Sequence, residues 1–320
     1  MRIAVLDDYQ DCALRMADWD SLRSEHQLQV FQDHLQQENA VVERLKNFEI
    51  VVAMRERTPF SRNMLKNLDR MRLLVTTGMR NASIDLQAAT DYGIMVCGTD
   101  GLPYPPAELT WGLILALARH IPSEDRETRE GRWQTTLGSG LNGKALGILG
   151  LGKLGSQVAS IGKAFGMSIL AWSQNLTAER AAQHGATLTS KDQLLSSSDF
   201  VTIHLVLSDR TRGLIGEREI GLMKPTAYLV NTSRGPIVDE SALVNALERG
   251  IIAGAGLDVF DQEPLSVQHP FLRLRNTVIT PHLGYVTAES YHLFFGQVVD
   301  DIQSYLRGSP VRMLNRVGIR

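Results

Sequence analysis

Residues Gly150-Leu151-Gly152-Lys153-Leu154-Gly155 form a G-x-G-x-x-G run, with the apolar stretch ALGIL before it and a helix-like segment after it. Such a turn can hold a pyrophosphate. Gly150 permits the tight turn, Gly152 lets the backbone approach phosphate oxygens, and Gly155 lets helix and strand pack closely. The helix start, with Lys153 and Leu154, then offers unpaired N–H groups to the anion. Farther on, ILAWSQN places Ser173, Gln174 and Asn175 where the next strand of a dinucleotide fold ends in an acid. A carboxylate there accepts from the ribose hydroxyls of NAD(H) and repels a 2′-phosphate; the neutral trio removes that repulsion. The reading leans slightly toward NADP(H) over NAD(H). NAD(H) or dual use is the alternative, because no arginine follows at once, Arg180 being the nearest cation, and Ser173 also suits a loop-capping hydroxyl.

The elements that must position this turn can be read from the apolar runs. RIAVLDD, LQVFQD, EIVVAMR, MRLLVTT and YGIMVC alternate with helix-like segments at Glu38–Asn47, Ser61–Leu68 and Asp85–Asp91. A second series runs ALGILG, MSILAW, FVTIHL, AYLVNT, AGAGLDV and NTVITP. Short apolar runs alternating with helices predict parallel sheets with crossovers. The Gly- and Pro-rich GTDGLPYPPAEL between the series reads as a hinge into a long buried helix, with Glu108 in its first turn. Glu289 to Leu306 carries Tyr291, Phe294, Phe295, Val298, Val299 and Ile302 at helical spacing, and is expected to return to the first domain. The expected fold is α/β with two doubly wound parallel-sheet domains: a flavodoxin-like substrate domain, residues 1–98 and 289–320, and a Rossmann dinucleotide-binding domain, residues 99–288.

Composition bounds the class. The 320 residues are 43% hydrophobic and 21% charged, with a net charge of −2. Nothing global draws the chain to nucleic acid or membrane. The apolar segment from Leu109 is too short to span a bilayer. Cys12 and Cys97 lack metal or CxxC spacing, and Asp7 and Asp8 stand where a signal peptide needs an apolar run. A cytoplasmic enzyme with no metal site is expected.

Three further strings follow in order: LMKPTAYLVNTSRGPIVDESAL, AGAGLDVFDQEPL and NTVITPHLGYVT. With GLGKLG they resemble the D-isomer-specific 2-hydroxyacid dehydrogenases, including phosphoglycerate dehydrogenase-like and hydroxypyruvate/glyoxylate reductase-like members. The resemblance spans essentially the whole chain and is strongest from Ala145 to Thr287. It implies hydride transfer between a nicotinamide cofactor and C2 of a 2-hydroxy or 2-keto acid. It also implies Arg234, Glu263 and His282 as catalytic residues. Asp258 would contact the nicotinamide carboxamide, with Thr232 and Ser233 lining that pocket and Gly284 beside it. The chemistry suits these types. A guanidinium can hold the carboxylate and polarise the neighbouring carbonyl. Imidazole titrates near neutral pH and can supply the proton that the nascent alkoxide needs, while a carboxylate beside it fixes the ring.

The stretch LLVTTGMRNASIDL occupies the place of the family's substrate loop, whose N–H groups bind the substrate carboxylate. Here Met79, Arg80 and Asn81 follow Gly78 in place of the usual small residues, and Ser83 or Asp85 suits a helix N-cap. Arg55, Arg57 and Arg80 are candidates to read a second anionic group; the alternative is surface ion pairing, for example with Glu56. His204 stands near the family's cofactor-side His-x-Pro, with Val206 in place of the proline. Trp172 suits either the adenosine or the core. The family implies a homodimer. Glu263 argues against a formate dehydrogenase, which resembles a Gln–His pair instead. A rival from another class is an NAD(H)-sensing, corepressor-like binding protein of the same fold.

Overall fold

The computed structural model describes residues 1–317, so the end of the expected substrate domain, 318–320, lies outside the described residues. The chain packs into two compact units, Met1–Leu102 with Thr287 onward, and Pro103–Val286. These limits differ by a few residues from the sequence estimate. The hinge stays with the first unit because Gly98 N–H donates to Arg312 O and Asp100 N–H donates to Gln297 Oε1.

The first unit runs β1 (Arg2–Val5), α1 (Asp20–Arg23), β2 (Gln27–Val30), α2 (Glu38–Leu45), β3 (Ile50–Ala53), α3 (Arg62–Lys66), β4 (Leu73–Thr76), α4 (Leu86–Asp91) and β5 (Met95–Gly98). The strands make one parallel sheet in the order β2-β1-β3-β4-β5. That is the flavodoxin-like order. β3, β4 and β5 are buried along their whole length, which is why they read as unbroken apolar runs. Asp85, not Ser83, caps α4, accepting from Ala88 N–H at 2.8 Å.

The second unit runs α5 (Pro105–Ala118), α6 (Ile121–Arg129), β6 (Ala145–Leu149), α7 (Lys153–Ala164), β7 (Ser168–Trp172), α8 (Ala178–Gln183), β8 (Thr187–Leu188), α9 (Lys191–Ser197), β9 (Phe200–Ile203), α10 (Glu217–Leu222), β10 (Tyr228–Asn231), α11 (Glu240–Glu248), β11 (Gly254–Leu257) and β12 (Thr277–Ile279). Its parallel sheet has the order β12-β11-β10-β9-β6-β7-β8. Counted from β6, this is the Rossmann order with one added strand, and it reverses between β6 and β9. Neither β8 nor α6 was expected: β8 has two residues and α6 buries none, so neither leaves a hydrophobic period.

α12 (Ala288–Leu306) belongs to the first unit and buries all six of the apolar residues that predicted it. Phe294 and Phe295 are 1% and 0% exposed. Burial of each such side chain is worth about 2–3 kcal/mol.

Candidate active site

All strands of the second sheet are parallel, so their carboxyl ends share one edge. Six of the loops leaving that edge begin at Gly150, Ser173, His204, Thr232, Asp258 and Thr280. The glycine turn therefore opens at the point where the strand order reverses, the place such sheets use for ligands.

Gly150 has φ +102°, and a Cβ there would lie 2.5 Å from His204 O. A Cβ on Gly155 would lie 2.1 Å from Gly150 O. Both positions require glycine. Around Gly152 nothing lies within 4 Å of a built Cβ, so the backbone faces open space. Gly152 caps α7 without any side-chain hydrogen bond to its first turn. The N–H groups of Lys153 and Leu154 thus point at a space an anion can fill, and the residues present fit a dinucleotide pyrophosphate. Gly150 N–H donates to Trp172 O at 2.8 Å, tying the turn to the end of β7. Trp172 is half-buried and packs against a core cluster, and Ser173 is half-buried. Gln174 and Asn175 are exposed.

His204 Nε2 lies 3.0 Å from Thr202 Oγ1, and burial pushes its imidazole down to about 4. The ring is therefore neutral near pH 7, and the residue's carbonyl packs closely on Gly150. At the end of β10, buried Asn231 wraps its own loop: its Nδ2 donates to Arg234 O at 3.0 Å, and its Oδ1 accepts from Ser233 N–H at 3.0 Å. Thr232 Oγ1 is 2.7 Å from Thr110 Oγ1, and Ser233 Oγ donates to Leu205 O. Arg234 is half-buried, with Nη1 donating to Ser233 O at 2.7 Å. A Cβ on Gly235 would come within 2.1 Å of the Phe260 carbonyl carbon. This close approach brings the Arg234 loop against the loop that carries Glu263.

Glu263 is held at both oxygens. Oε1 accepts from Phe260 N–H at 2.9 Å, and Oε2 is 2.6 Å from His282 Nδ1. A carboxylate only accepts, so Nδ1 carries the proton, and Nε2 makes no hydrogen bond among the described residues. The His282 ring also meets Tyr285 edge-on, with centroids 5.5 Å apart. The His282 backbone has φ +54°, and its N–H donates to Asp258 O at 2.8 Å.

The Asp258 side chain is fully buried. Its Oδ1 accepts from Thr280 Oγ1 at 2.6 Å and Leu283 N–H at 2.7 Å, and its Oδ2 from Gly284 N–H at 2.9 Å. Burial pushes this carboxyl up, against the opposing hydrogen bonds and the His282 charge. Asp258 thus folds the loop that carries His282. That work, and those of Asn231 and Thr280, went unseen in the sequence. Each lies inside a quoted motif, but nothing in residue type tells a loop-folding side chain from a ligand contact.

In the first unit the strand ends gather the other candidates. Arg55 has φ +52°; its N–H donates to Thr77 Oγ1 at 2.9 Å, and Nε is 3.6 Å from Glu56 Oε2. Its guanidinium covers Gly78, where a Cβ would lie 2.2 Å from Nη1. Gly78 N–H donates to Thr99 Oγ1 at 2.9 Å. Buried Asn81 ties the loop down through Nδ2 to Arg55 O at 2.6 Å and Thr76 Oγ1 at 2.9 Å. Arg57 donates to Asp7 O at 2.6 Å and lies over the Tyr9 ring. Met79 and Arg80 are exposed. Among the described residues, no group of three or more His, Cys, Asp or Glu side chains could hold a metal, and no helix is long and apolar enough to cross a membrane.

Known proteins share this sequence pattern and fold. The family model described as D-isomer specific 2-hydroxyacid dehydrogenase, NAD binding domain, matches residues 111–284. A glyoxylate reductase from Aeropyrum pernix is 43% identical over 265 residues, 79% of each chain. A D-3-phosphoglycerate dehydrogenase from Synechocystis is 38% identical over 264 residues, 82% of this chain but 48% of that protein. A solved structure of a phosphoglycerate oxidoreductase from Vibrio cholerae superposes with a TM-score of 0.91 at 37% identity, covering 96% of this chain and 99% of that one. The chain belongs to the D-isomer-specific 2-hydroxyacid dehydrogenase family, enzymes that work with a nicotinamide cofactor on small 2-hydroxy or 2-keto acids.

Proposed function

We propose that the protein is a 2-keto acid reductase in which His282 is the general acid/base, Glu263 its partner and Arg234 the substrate-binding cation. The observation that carries this reading is the 2.6 Å contact between His282 Nδ1 and Glu263 on a loop folded by Asp258. It leaves Nε2 as the free ring nitrogen. A nicotinamide cofactor held by the glycine turn would supply hydride to C2. Arg234 holds the carboxylate and polarises the carbonyl. His282 Nε2 gives its proton to the oxygen as the carbon is reduced, and takes it back in the oxidative direction. Glu263 keeps the ring oriented through Nδ1.

The glycine turn and the first turn of α7 would hold the pyrophosphate. Ser173, Gln174 and Asn175 would meet the adenine-side ribose, and Thr232, Ser233 and Asp258 would line the nicotinamide end. With no carboxylate at the end of β7, NADPH is the favoured cofactor, NADH the alternative. The resemblance implies that the Gly78–Asn81 loop binds the substrate carboxylate, and Arg55 and Arg80 are its candidates to read a second anionic group. A small acid of the glyoxylate kind fits the relatives whose full length this chain matches best. Two buried, unpaired thiols fit the cytoplasm. In the second unit Trp133 and Leu137 are 78% and 94% exposed, which supports a homodimer that covers them.

The test is steady-state reduction of glyoxylate, hydroxypyruvate, phosphohydroxypyruvate and 2-ketoglutarate with NADPH and with NADH. Turnover of at least one acid, with kcat/KM higher for NADPH, is expected. Tight NADH binding without turnover of any acid would instead identify a sensor.

A further inference from the structure

After α12 the chain turns back to the first sheet. Residues Arg312 to Asn315 lie antiparallel to β5, with Met313 bridging Cys97. Gly98 N–H donates to Arg312 O at 3.0 Å, and Leu314 N–H donates to Val96 O at 2.8 Å. Asn315 closes the far end, accepting from Val96 N–H at 2.8 Å and donating to Ile94 O at 2.9 Å. We call this segment the strap.

The strap is clamped to α12 by one side chain. Arg312 donates from Nε to Asp301 Oδ1 at 3.0 Å, and from Nη2 to Asp300 Oδ2 at 2.6 Å and Gln297 O at 3.1 Å. Its backbone takes φ +48°, a conformation L side chains rarely adopt. Asp301 is fully buried, its Oδ2 has no hydrogen-bond partner, and burial pushes its carboxyl up to about 7 in spite of Arg312. Asp300, Asp100 and the Cys97 thiol face the same group. A buried pair of this kind returns little stability for its desolvation, so its value lies in placement.

What it places is the substrate loop. A Cβ on Gly98 would lie 2.7 Å from Gly78 O, 3.2 Å from Leu314 Cδ1 and 3.3 Å from Met79 Cα. Gly98 is thus pinched between strap and loop. The next residue, Thr99, accepts from Gly78 N–H, and Gln297 holds Asp100 through two hydrogen bonds of 2.7 and 3.0 Å. The same turn of α12 therefore anchors the strap and the segment that backs the loop.

We propose that Arg312 and Asp301 are positioning residues: the strap they clamp holds the Gly78–Asn81 loop in the shape that receives the substrate carboxylate. This rests on the reading above that the loop is the carboxylate site.

The test uses the full-length enzyme with glyoxylate and saturating cofactor. Arg312→Ala should raise KM for the acid about tenfold or more, since misplacement by about 1 Å is costly. It should leave kcat and the cofactor KM within about twofold. Arg312→Lys should restore part of the loss. Leu314→Ala, which keeps the clamp but trims the contact on Gly98, should raise the same KM by about threefold. It decides the matter if Arg312→Ala does not fold. Gly78→Ala reports on the loop itself. If Gly78→Ala raises KM while Arg312→Ala and Leu314→Ala do not, the strap proposal is overturned and the loop reading stands. If none of the three changes KM, the loop reading falls as well.

Discussion

At the carboxyl edge of the seven-stranded sheet, His282 is held through its ring by Glu263 and through its backbone by Asp258. At the carboxyl edge of the five-stranded sheet, Met79 and Arg80 stand exposed on a loop whose neighbours Gly78 and Asn81 are tied down. Both edges arise in the same way, from parallel strands ending together. They differ in how far their side chains are committed. On the function proposed above, proton transfer tolerates little error in distance, which fits side chains locked by hydrogen bonds to one another. Recognition of a variable part of a substrate gains from side chains that the fold does not already use.

The sharpest way to break this comparison is at the locked edge. His282→Asn removes the proposed proton carrier and should lower kcat/KM by about 10²- to 10⁴-fold. Nicotinamide fluorescence should still report near-native cofactor binding; full turnover would refute the assignment. Asp258→Ala strands three donors around a buried hole, each worth about 1–3 kcal/mol. A clear fall in Tm should accompany the loss of turnover, whereas Arg80→Ala should leave Tm unchanged.

A third test asks what the buried carboxylate at the strap costs. The folded Asp301 carboxyl sits near 7, above its ordinary 3.8. Between those values the folded state binds the proton more tightly than the unfolded chain. The Asp301 contribution to stability is therefore fully present below about 4 and is lost as pH rises toward 7. Tm measured for wild type and Asp301→Asn across that range should show the wild type losing ground as pH rises. A constant difference would remove this carboxyl from the account.

Two smaller effects concern side chains left uncommitted. Ser173→Asp restores the carboxylate that repels a 2′-phosphate, and should move the NADPH/NADH ratio of kcat/KM toward NADH by about tenfold or more, roughly 1.4 kcal/mol. Arg80→Ala should raise KM for a dianionic keto acid about threefold to fivefold, as expected for an exposed ion pair, and leave glyoxylate alone. Equal losses for both acids would show that Arg80 does not read a second charge.

Much of this molecule was legible before any coordinates. Fully buried strands such as IVVA and LLVT announce themselves because both faces need apolar residues. The glycine turn is legible because G-x-G-x-x-G sits between an apolar run and a helix-like segment. α12 is legible because one face carries six apolar residues at helical spacing. Elements that bury little, such as β8 and α6, leave no such trace.

Local spacing and hydrophobic period are properties of neighbouring residues, so the chain by itself determined the two parallel sheets, the glycine turn and the types of side chain at each strand end. Partnerships across long stretches of chain are different. That Asp258 folds the His282 loop, that Arg57 is bound to Asp7, and that Arg312 clamps Asp301 while its carbonyl holds Gly98 were decided only in the tertiary structure. The physical reason is that a hydrogen bond or buried charge depends on which groups are brought within about 3 Å and removed from water, and no periodicity in the sequence records that.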